Sequence, residues 1–176
     1  MWEKRYQDAE VIYAETIRKH PNNFTAHLGL ANAYSSLKRS VLALQHIKEA
    51  LIIQPDNQSA LISKKYILLS LAEKSKSNNK YDEALELLEE IKTIFPKDRE
   101  ALLNEAICYL WMDDPKSAYA IYQQLLEEKI DPFEAQMGLS YTSTLLGRKK
   151  KALMHADEAL LLTDSLSDQF LSLIHI

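Results

Sequence analysis

Histidine, cysteine and paired carboxylates are the side chains in this sequence whose chemistry could support catalysis or metal binding. The five histidines are His20, His27, His46, His155 and His175, and none pairs with another histidine or a cysteine at a metal-ligand spacing. Cys108 is the only cysteine, which excludes an internal disulfide and a thiolate cluster. Carboxylate pairs such as Glu89 and Glu90 are typical of solvated helix faces. With no phosphate loop, HExxH motif or nucleophile elbow, we predict a non-enzymatic chain without catalytic residues, metal or cofactor.

The composition is that of a helical domain with a core of its own. Of 176 residues, 47% are hydrophobic and 26% charged, and only 3 are glycine and 5 proline, too few for a turn-rich β fold. A net charge of −4 gives no general attraction to nucleic acid or to anionic membrane. No apolar run reaches the roughly 18 residues that span a bilayer, so we predict no direct membrane insertion. The compartment stays unknown: cytoplasm is the default expectation, and export stays open if an N-terminal segment is missing.

A repeat organises the chain. Pro21 and Pro55 are 34 residues apart, and the stretch between them predicts two antiparallel helices. Small residues at Ala31, Ala43 and Ala50 allow the two helices to approach closely, and proline ends the second one. The pattern returns before Pro96 and twice more in the C-terminal half. The later packing positions are Ala84, Leu88, Ile91, Leu102, Ala106, Tyr109, Ala118, Tyr122, Leu125, Leu139, Ala152, Ala156 and Ala159.

At these residues the chain resembles the tetratricopeptide repeat family. The resemblance implies an all-α, right-handed superhelical array of antiparallel helix pairs, a TPR solenoid, over residues 1–164. Its parts are the second helix of a partial repeat at 1–21 and four repeats at about 22–55, 56–96, 97–130 and 131–164. Lys38 departs from the family pattern, because glycine is usual at that turn. The resemblance also implies a packed, structural His27 and a buried thiol at Cys108.

The repeat at 56–96 is seven residues longer than the others. Seven residues are close to two helical turns, so an insertion in a helix roughly preserves its buried face. We favour an extended first helix whose leading turns, with Lys64 and Lys65, project beyond the neighbouring helices. A longer loop at EKSKSNNK is the alternative.

First-helix residues line the concave groove in this family, which implies a groove that binds a peptide or a partner helix. The predicted partner-binding positions are Leu103, Ile107, Leu110, Trp111, Met137, Tyr141 and Asn32. Leu28, Ser35, Leu69, Glu73 and Leu145 fall in the same register. An apolar stripe at this spacing is equally expected if the side chains are buried inside their own fold, so both interpretations stay open.

The function predicted from this resemblance is a non-catalytic scaffold for a protein or peptide partner of unknown identity. The alternative is a spacer or docking segment of a larger bacterial protein whose catalytic, sensor or outer-membrane barrel domain is missing here. We do not expect a clamp for a chaperone C-terminal carboxylate. Asn32 fits that motif, but Leu28 replaces its first lysine, and Glu100 would repel a carboxylate.

Both ends of the sequence look interrupted. Met1 falls inside a repeat, and residues 165–176 fit the start of a further repeat, with Phe170 and Leu173 at packing positions. The last six residues, LSLIHI, also look like the translation of a sequencing-library adapter. We interpret 171–176 as an adapter artefact rather than native protein, and build no function on this apolar ending.

Overall fold

The computed structural model describes the backbone of residues 2–174 and the side chains of residues 3–163. Within that range the chain is all-α, as predicted. The helices are α1 (Trp2–Lys19), α2 (Phe24–Ser36), α3 (Ser40–Ile53), α4 (Gln58–Ser77), α5 (Tyr81–Ile94), α6 (Arg99–Trp111), α7 (Pro115–Glu127), α8 (Pro132–Leu145) and α9 (Lys149–Ile174). They form two compact units, Met1–Ile94 and Phe95–Ile176.

Short polar turns separate the helices and set where each helix starts. The side chains of Asn23, Asn57 and Asp98 accept a hydrogen bond from the backbone N–H three residues later, which caps α2, α4 and α6. Asp114 and Asp131 cap α7 and α8, and proline follows each of them in the first turn. Proline is tolerated there because that N–H has no partner within the helix.

One backbone feature marks the turn inside each helix pair. Lys38, Asn79, Asp113 and Gly147 all have a positive φ, between 57° and 70°. The first two are 41 residues apart and the later ones follow at intervals of 34, so they occupy equivalent positions. Only the last is a glycine, the residue that adopts this conformation without steric cost. Lys38 therefore takes the glycine conformation that its position requires.

The first unit, α1–α5, packs small residues between antiparallel helices. Ala31, Ala43, Ile47 and Ala50 are fully buried in one cluster, as the repeat pattern predicts. Around them lie half-buried larger side chains, among them Tyr34. The predicted Ala and Ile positions of the first complete repeat are thus confirmed as core.

The long first helix of the repeat at 56–96 is confirmed, but its leading turns do not project. Helix α4 has 20 residues and includes EKSKS, which would lie in a loop under the alternative. Ala60, in its first turn, is completely buried in the core cluster with residues of α3. Lys64 is largely covered, and its Nζ lies 2.7 Å from Glu90 Oε1 on α5. The prediction failed because a lysine can pack its methylene stem against a neighbouring helix while its ammonium pairs with a carboxylate.

The second unit, α6–α9, has a core of the same design. Leu102 and Ala106 of α6, Tyr122 and Leu125 of α7 and Leu139 of α8 belong to one buried cluster. Cys108 is fully buried, as expected. Helix α9 continues to Ile174 without a break at 165, where the sequence predicts a new helix. The side chains of 164–176 lie outside the described residues, so the predictions about Phe170, Leu173 and 171–176 stay predictions.

Candidate partner-binding surface

Two first helices of the second unit carry a row of exposed apolar side chains. The exposed fractions are 36% for Ile107, 69% for Trp111, 47% for Met137, 56% for Tyr141 and 51% for Leu145. We call these five residues the apolar strip. The first two lie four residues apart on α6, and the other three lie four residues apart on α8, so each set shares one helix face.

The strip is held in place by the core beneath it. Helices α6 and α8 both pack on α7, where Leu102, Tyr122 and Leu139 join one buried cluster. Gly138 brings α8 close to α7, because a β-carbon built at that residue would lie 2.3 Å from the Tyr122 ring. The two helices that carry the strip are therefore held by the same buried cluster around Tyr122.

The predicted groove residues separate into three groups. Ile107, Trp111, Met137 and Tyr141 are exposed together on the second unit, so Trp111 is not a core residue. Leu103 and Leu110 are half-buried and pack against the core cluster. Asn32 is exposed on α2, in the first unit. The structure thus shows which residues are accessible, while their role in binding stays a prediction.

Four of the five strip residues have polar equivalents in the first unit, whereas Met137 corresponds to Leu28 and Leu69. Ile107 lies 75 residues after Asn32 and 34 after Glu73, and Tyr141 lies 109 and 68 residues after them. The same distances separate the positive-φ turn residues of these helix pairs, so all four residues occupy equivalent positions. Trp111 likewise corresponds to Ser36 and Ser77, which are both exposed. The fold accepts polar side chains at these positions, so the apolar ones in the second unit are not required by packing.

Sequence reasoning missed other exposed apolar residues. Ile62 and Tyr66 lie on one face of α4. Four further residues form an exposed patch on α9: Leu153, Met154, Leu160 and Leu161. The sequence pattern that could have revealed the α9 patch is a pair of adjacent apolar residues that recurs seven positions later, because residues seven apart lie on the same helix face.

Two glutamates lie at one end of the strip. Glu100 and Glu134 occupy equivalent, exposed positions in the first turns of α6 and α8. The pKa of the Tyr122 hydroxyl is raised, mainly by burial and then by the nearby Glu134 and Tyr141. Arg99 forms an ion pair with Asp131 at the same end. This end of the surface therefore combines carboxylates with a guanidinium that already has a carboxylate partner.

A histidine pair inside the first unit was also missed. Nδ1 of His27 lies 3.2 Å from Nδ1 of His46, and Nε2 of His27 lies 2.8 Å from the Pro21 carbonyl oxygen. Because a carbonyl only accepts, His27 donates from Nε2. In a neutral imidazole the Nδ1 of His27 then accepts a hydrogen bond from Nδ1–H of His46. Burial, followed by the proximity of His27, lowers the pKa of His46, and Glu49 acts in the opposite direction.

A second polar pair occupies the equivalent position in the second unit. Nδ1 of His155 lies 2.7 Å from Oε1 of Gln136, and these residues are also 19 apart. Burial and then Lys151 lower the pKa of His155, whereas Glu158 raises it. Both pairs join a first helix to its second helix. They are therefore part of the packing within a repeat and not of the apolar strip.

In the part of the chain that the structure describes, His, Cys, Asp and Glu side chains nowhere gather in threes that could hold a metal ion. None of its helices is long and apolar enough to cross a membrane.

Comparison with known proteins identifies the repeat. The family model described as Tetratricopeptide repeat matches residues 3–65 and 77–141, more than half of the chain. No curated protein sequence matches. Among solved structures, "Crystal structure of MamA" is 14% identical with a TM-score of 0.66, covering 93% of this chain and 91% of that one. "MamA 41-end from Desulfovibrio magneticus RS-1" is 19% identical with a TM-score of 0.60, covering 91% and 86%. At such identity the likeness concerns the fold alone.

Proposed function

Because this chain belongs to the tetratricopeptide repeat family, we propose that it is a non-catalytic scaffold that binds an apolar segment of a protein partner on the apolar strip. The fold itself is one that supports protein–protein interaction in general. One observation carries the finer proposal. Positions that hold Asn32 and Glu73 in the first unit hold Ile107 and Tyr141 in the second, where both are exposed.

The chemistry of the strip suits partner binding. Large aromatic side chains dominate binding free energy at protein interfaces, and the strip contains a tryptophan and a tyrosine. Met137 adds a flexible side chain that can adapt to different apolar surfaces. Exposed apolar side chains that are contiguous, rather than scattered singly, are typical of interaction sites.

The spacer alternative is supported by a different surface. Leu153 and Leu160 of α9 are more than half exposed, whereas the equivalent Tyr119 and Leu126 of α7 pack against the core of the second unit. Those positions are covered in α7 and exposed in α9, so α9 presents a face that could pack against a further helix. Hydrogen exchange of α9 in the protein from its complete reading frame would test this. Slower amide exchange in α9 than in residues 1–176 alone would indicate that the face with Leu153 is covered, and would support a spacer. Equal exchange in both proteins would contradict it.

The main proposal is tested by comparing two matched variants. Trp111→Ala/Tyr141→Ala removes the aromatic side chains of the strip, and Leu153→Ala/Leu161→Ala removes equally exposed apolar side chains from α9. Proteins retained from a lysate of the source cells by the immobilised chain are then quantified by mass spectrometry. We expect a partner that the first variant loses by at least about 30-fold, the equivalent of a 2 kcal/mol hot spot, and that the control keeps.

Equal retention by both variants would show that the strip does not bind the partner. The melting temperature of each variant is measured beside the capture, so that loss of folded protein is not mistaken for loss of binding.

A further inference from the structure

The exposed apolar patch on α9 has a carboxylate at its centre. The side of α9 that carries Ala152 and Ala159 is buried, and α9 packs on α8. The opposite side carries the patch, whose four side chains are all more than half exposed: Leu153, Met154, Leu160 and Leu161. Asp157 is also exposed and lies three or four residues from each of them, so it shares their helix face. This carboxylate is therefore surrounded by apolar side chains of its own helix.

A lysine lies two helical turns before this carboxylate. Lys150 is exposed and seven residues from Asp157, which places the two charges on one line along α9. Leu153 and Met154 lie between them on the same face. Neither charged side chain takes part in an ion pair among the residues that the structure describes. Both charges are therefore open to a partner that contacts the patch.

This face is complementary to itself when two copies of α9 run antiparallel. A twofold axis midway between Leu153 and Met154 places Lys150 of each copy opposite Asp157 of the other, since both are equally far from that midpoint. The same axis places Leu153 opposite Met154 on both sides. A parallel pair would instead bring lysine against lysine and aspartate against aspartate, which is repulsive. The charge pattern thus fits one orientation and one register.

Other occupants fit this pattern less well. An anionic lipid surface would attract the lysines at 149–151, but it would repel Asp157, which lies in the middle of the side chains that would enter the lipid. A further helix of the same chain, the occupant under the spacer alternative, would have to supply its own matching cation and apolar residues. A second copy supplies both from residues that the structure describes.

We infer that a second copy of this chain docks on the α9 patch, in a symmetric antiparallel pair joined by two Lys150–Asp157 ion pairs. The inference is independent of the apolar strip, which lies on α6 and α8. A single helix face is at the small end of specific interfaces, so the dimer is weak and reversible.

The test exchanges the two charges and then mixes the variants. Lys150→Asp places acid at both contacts of a symmetric pair, and Asp157→Lys places lysine at both, so each variant alone opposes like charges. An equal mixture of the two again opposes unlike charges at both contacts. Dimerisation of the 176-residue chain is measured by sedimentation equilibrium from micromolar to near-millimolar concentration, with one variant fluorescently labelled in the mixture. Lys116→Asp and Glu127→Lys are the controls, because they make the same changes of net charge at exposed positions on α7.

We expect the wild type to dimerise and each exchange to raise the dissociation constant about thirtyfold, because two ion pairs become two repulsive contacts. The mixture should return to within about threefold of the wild type. The two controls and Trp111→Ala should dimerise as the wild type does. Circular dichroism of every variant shows whether the fold is retained.

Three outcomes would overturn the inference, and all of them leave the proposed function of the strip intact. A wild type that stays monomeric at every concentration would exclude a second copy as the occupant. Association that neither exchange weakens would place the contact elsewhere, including at the apolar ending, which is the same in all variants. Two weakened variants that mixing does not restore would exclude the antiparallel register.

Discussion

Replacing Gly138 by alanine should destabilise the second unit, although alanine is the better helix former. A β-carbon at Gly138 would lie 2.3 Å from Cδ1 and Cε1 of Tyr122 and 2.5 Å from its Cγ. Carbon atoms in contact normally stand 3.5–4.0 Å apart, so the ring or the helix must move by more than about 1 Å. Tyr122 is buried in the same core cluster as Leu125 and Leu139, which leaves its ring little room.

The expected magnitude follows from two opposing terms. Alanine in place of glycine stabilises a helix by about 1 kcal/mol. Overpacking of a filled core costs about 1–3 kcal/mol, and a displacement this large favours the upper end. The net loss for Gly138→Ala is therefore about 2 kcal/mol, or a fall in Tm of about 4–8 °C for a chain of this size. Gly29, whose β-carbon would meet Tyr13 at 2.4 Å, should tolerate alanine better because that tyrosine is only half-buried.

Thermal and urea unfolding followed by circular dichroism are the assays. A double-mutant cycle with Tyr122→Leu isolates the contact, and its coupling free energy should be at least about 1 kcal/mol in favour of the double variant. Gly147→Ala is the matched control. Its β-carbon would meet nothing within 4 Å, so it tests only the cost of a positive φ and should not couple to Tyr122. Stabilisation by Gly138→Ala would refute the reasoning.

Three further predictions concern the strip, the histidines and the turns. Trp111→Ala should cost no more than about 1 kcal/mol because the side chain is mostly exposed, whereas Leu102→Ala, fully buried on the same helix, should cost about 2–5 kcal/mol in urea unfolding; similar losses would mean that Trp111 is a core residue. Because the folded-state pKa of His46 lies below its usual 6.5, the unfolded chain takes up the proton first, so stability should fall as the pH drops below about 6.5. His46→Leu should reduce that slope, and an unchanged slope would place its origin elsewhere. Lys38→Gly should raise Tm by removing up to about 1 kcal/mol of positive-φ strain, and a lower Tm would show that the flexibility of glycine in the unfolded chain outweighs that relief.

The repeat period was readable from the sequence because it is carried by side chains that must be small or apolar. Ala43, Ala50 and Ala118 are all fully buried, and each is spaced as the period requires. Exposure of Trp111 could not be read in the same way. A tryptophan at helical spacing has the same pattern whether it faces its own core or solvent, and only the position of the neighbouring helices decides between them.

The histidine pair shows a different limit. His27 and His46 are 19 residues apart, so neither lies on the other's helix, and their contact depends on how the turn at Lys38 sets the register of α2 against α3. Metal-ligand spacing rules consider residues that are close in sequence and therefore miss such a pair. The lysines of α4 were misjudged for a related reason: Glu90, the partner of Lys64, lies on the next helix.

Internal repetition provides a comparison that a single chain seldom offers. Where His27 and His46 meet in the first complete repeat, the later repeats have Leu68 with Leu87, Leu102 with Ile121, and Gln136 with His155. The packing position thus accepts apolar and polar pairs alike, provided that the two polar side chains hydrogen-bond to each other.

The exposed first-helix positions are under no such restriction, because neither shape nor hydrogen bonding inside the repeat depends on them. Their residue types can then reflect what the surface contacts. The change from Asn32 and Glu73 to Ile107 and Tyr141, at positions that the fold leaves open, is for that reason the stronger guide to function. It also makes the exchange testable: Ile107→Asn/Tyr141→Glu copies the first unit's residues into the second. We expect it to abolish partner binding and to leave Tm nearly unchanged, and a large fall in Tm would show that packing had selected the apolar residues after all.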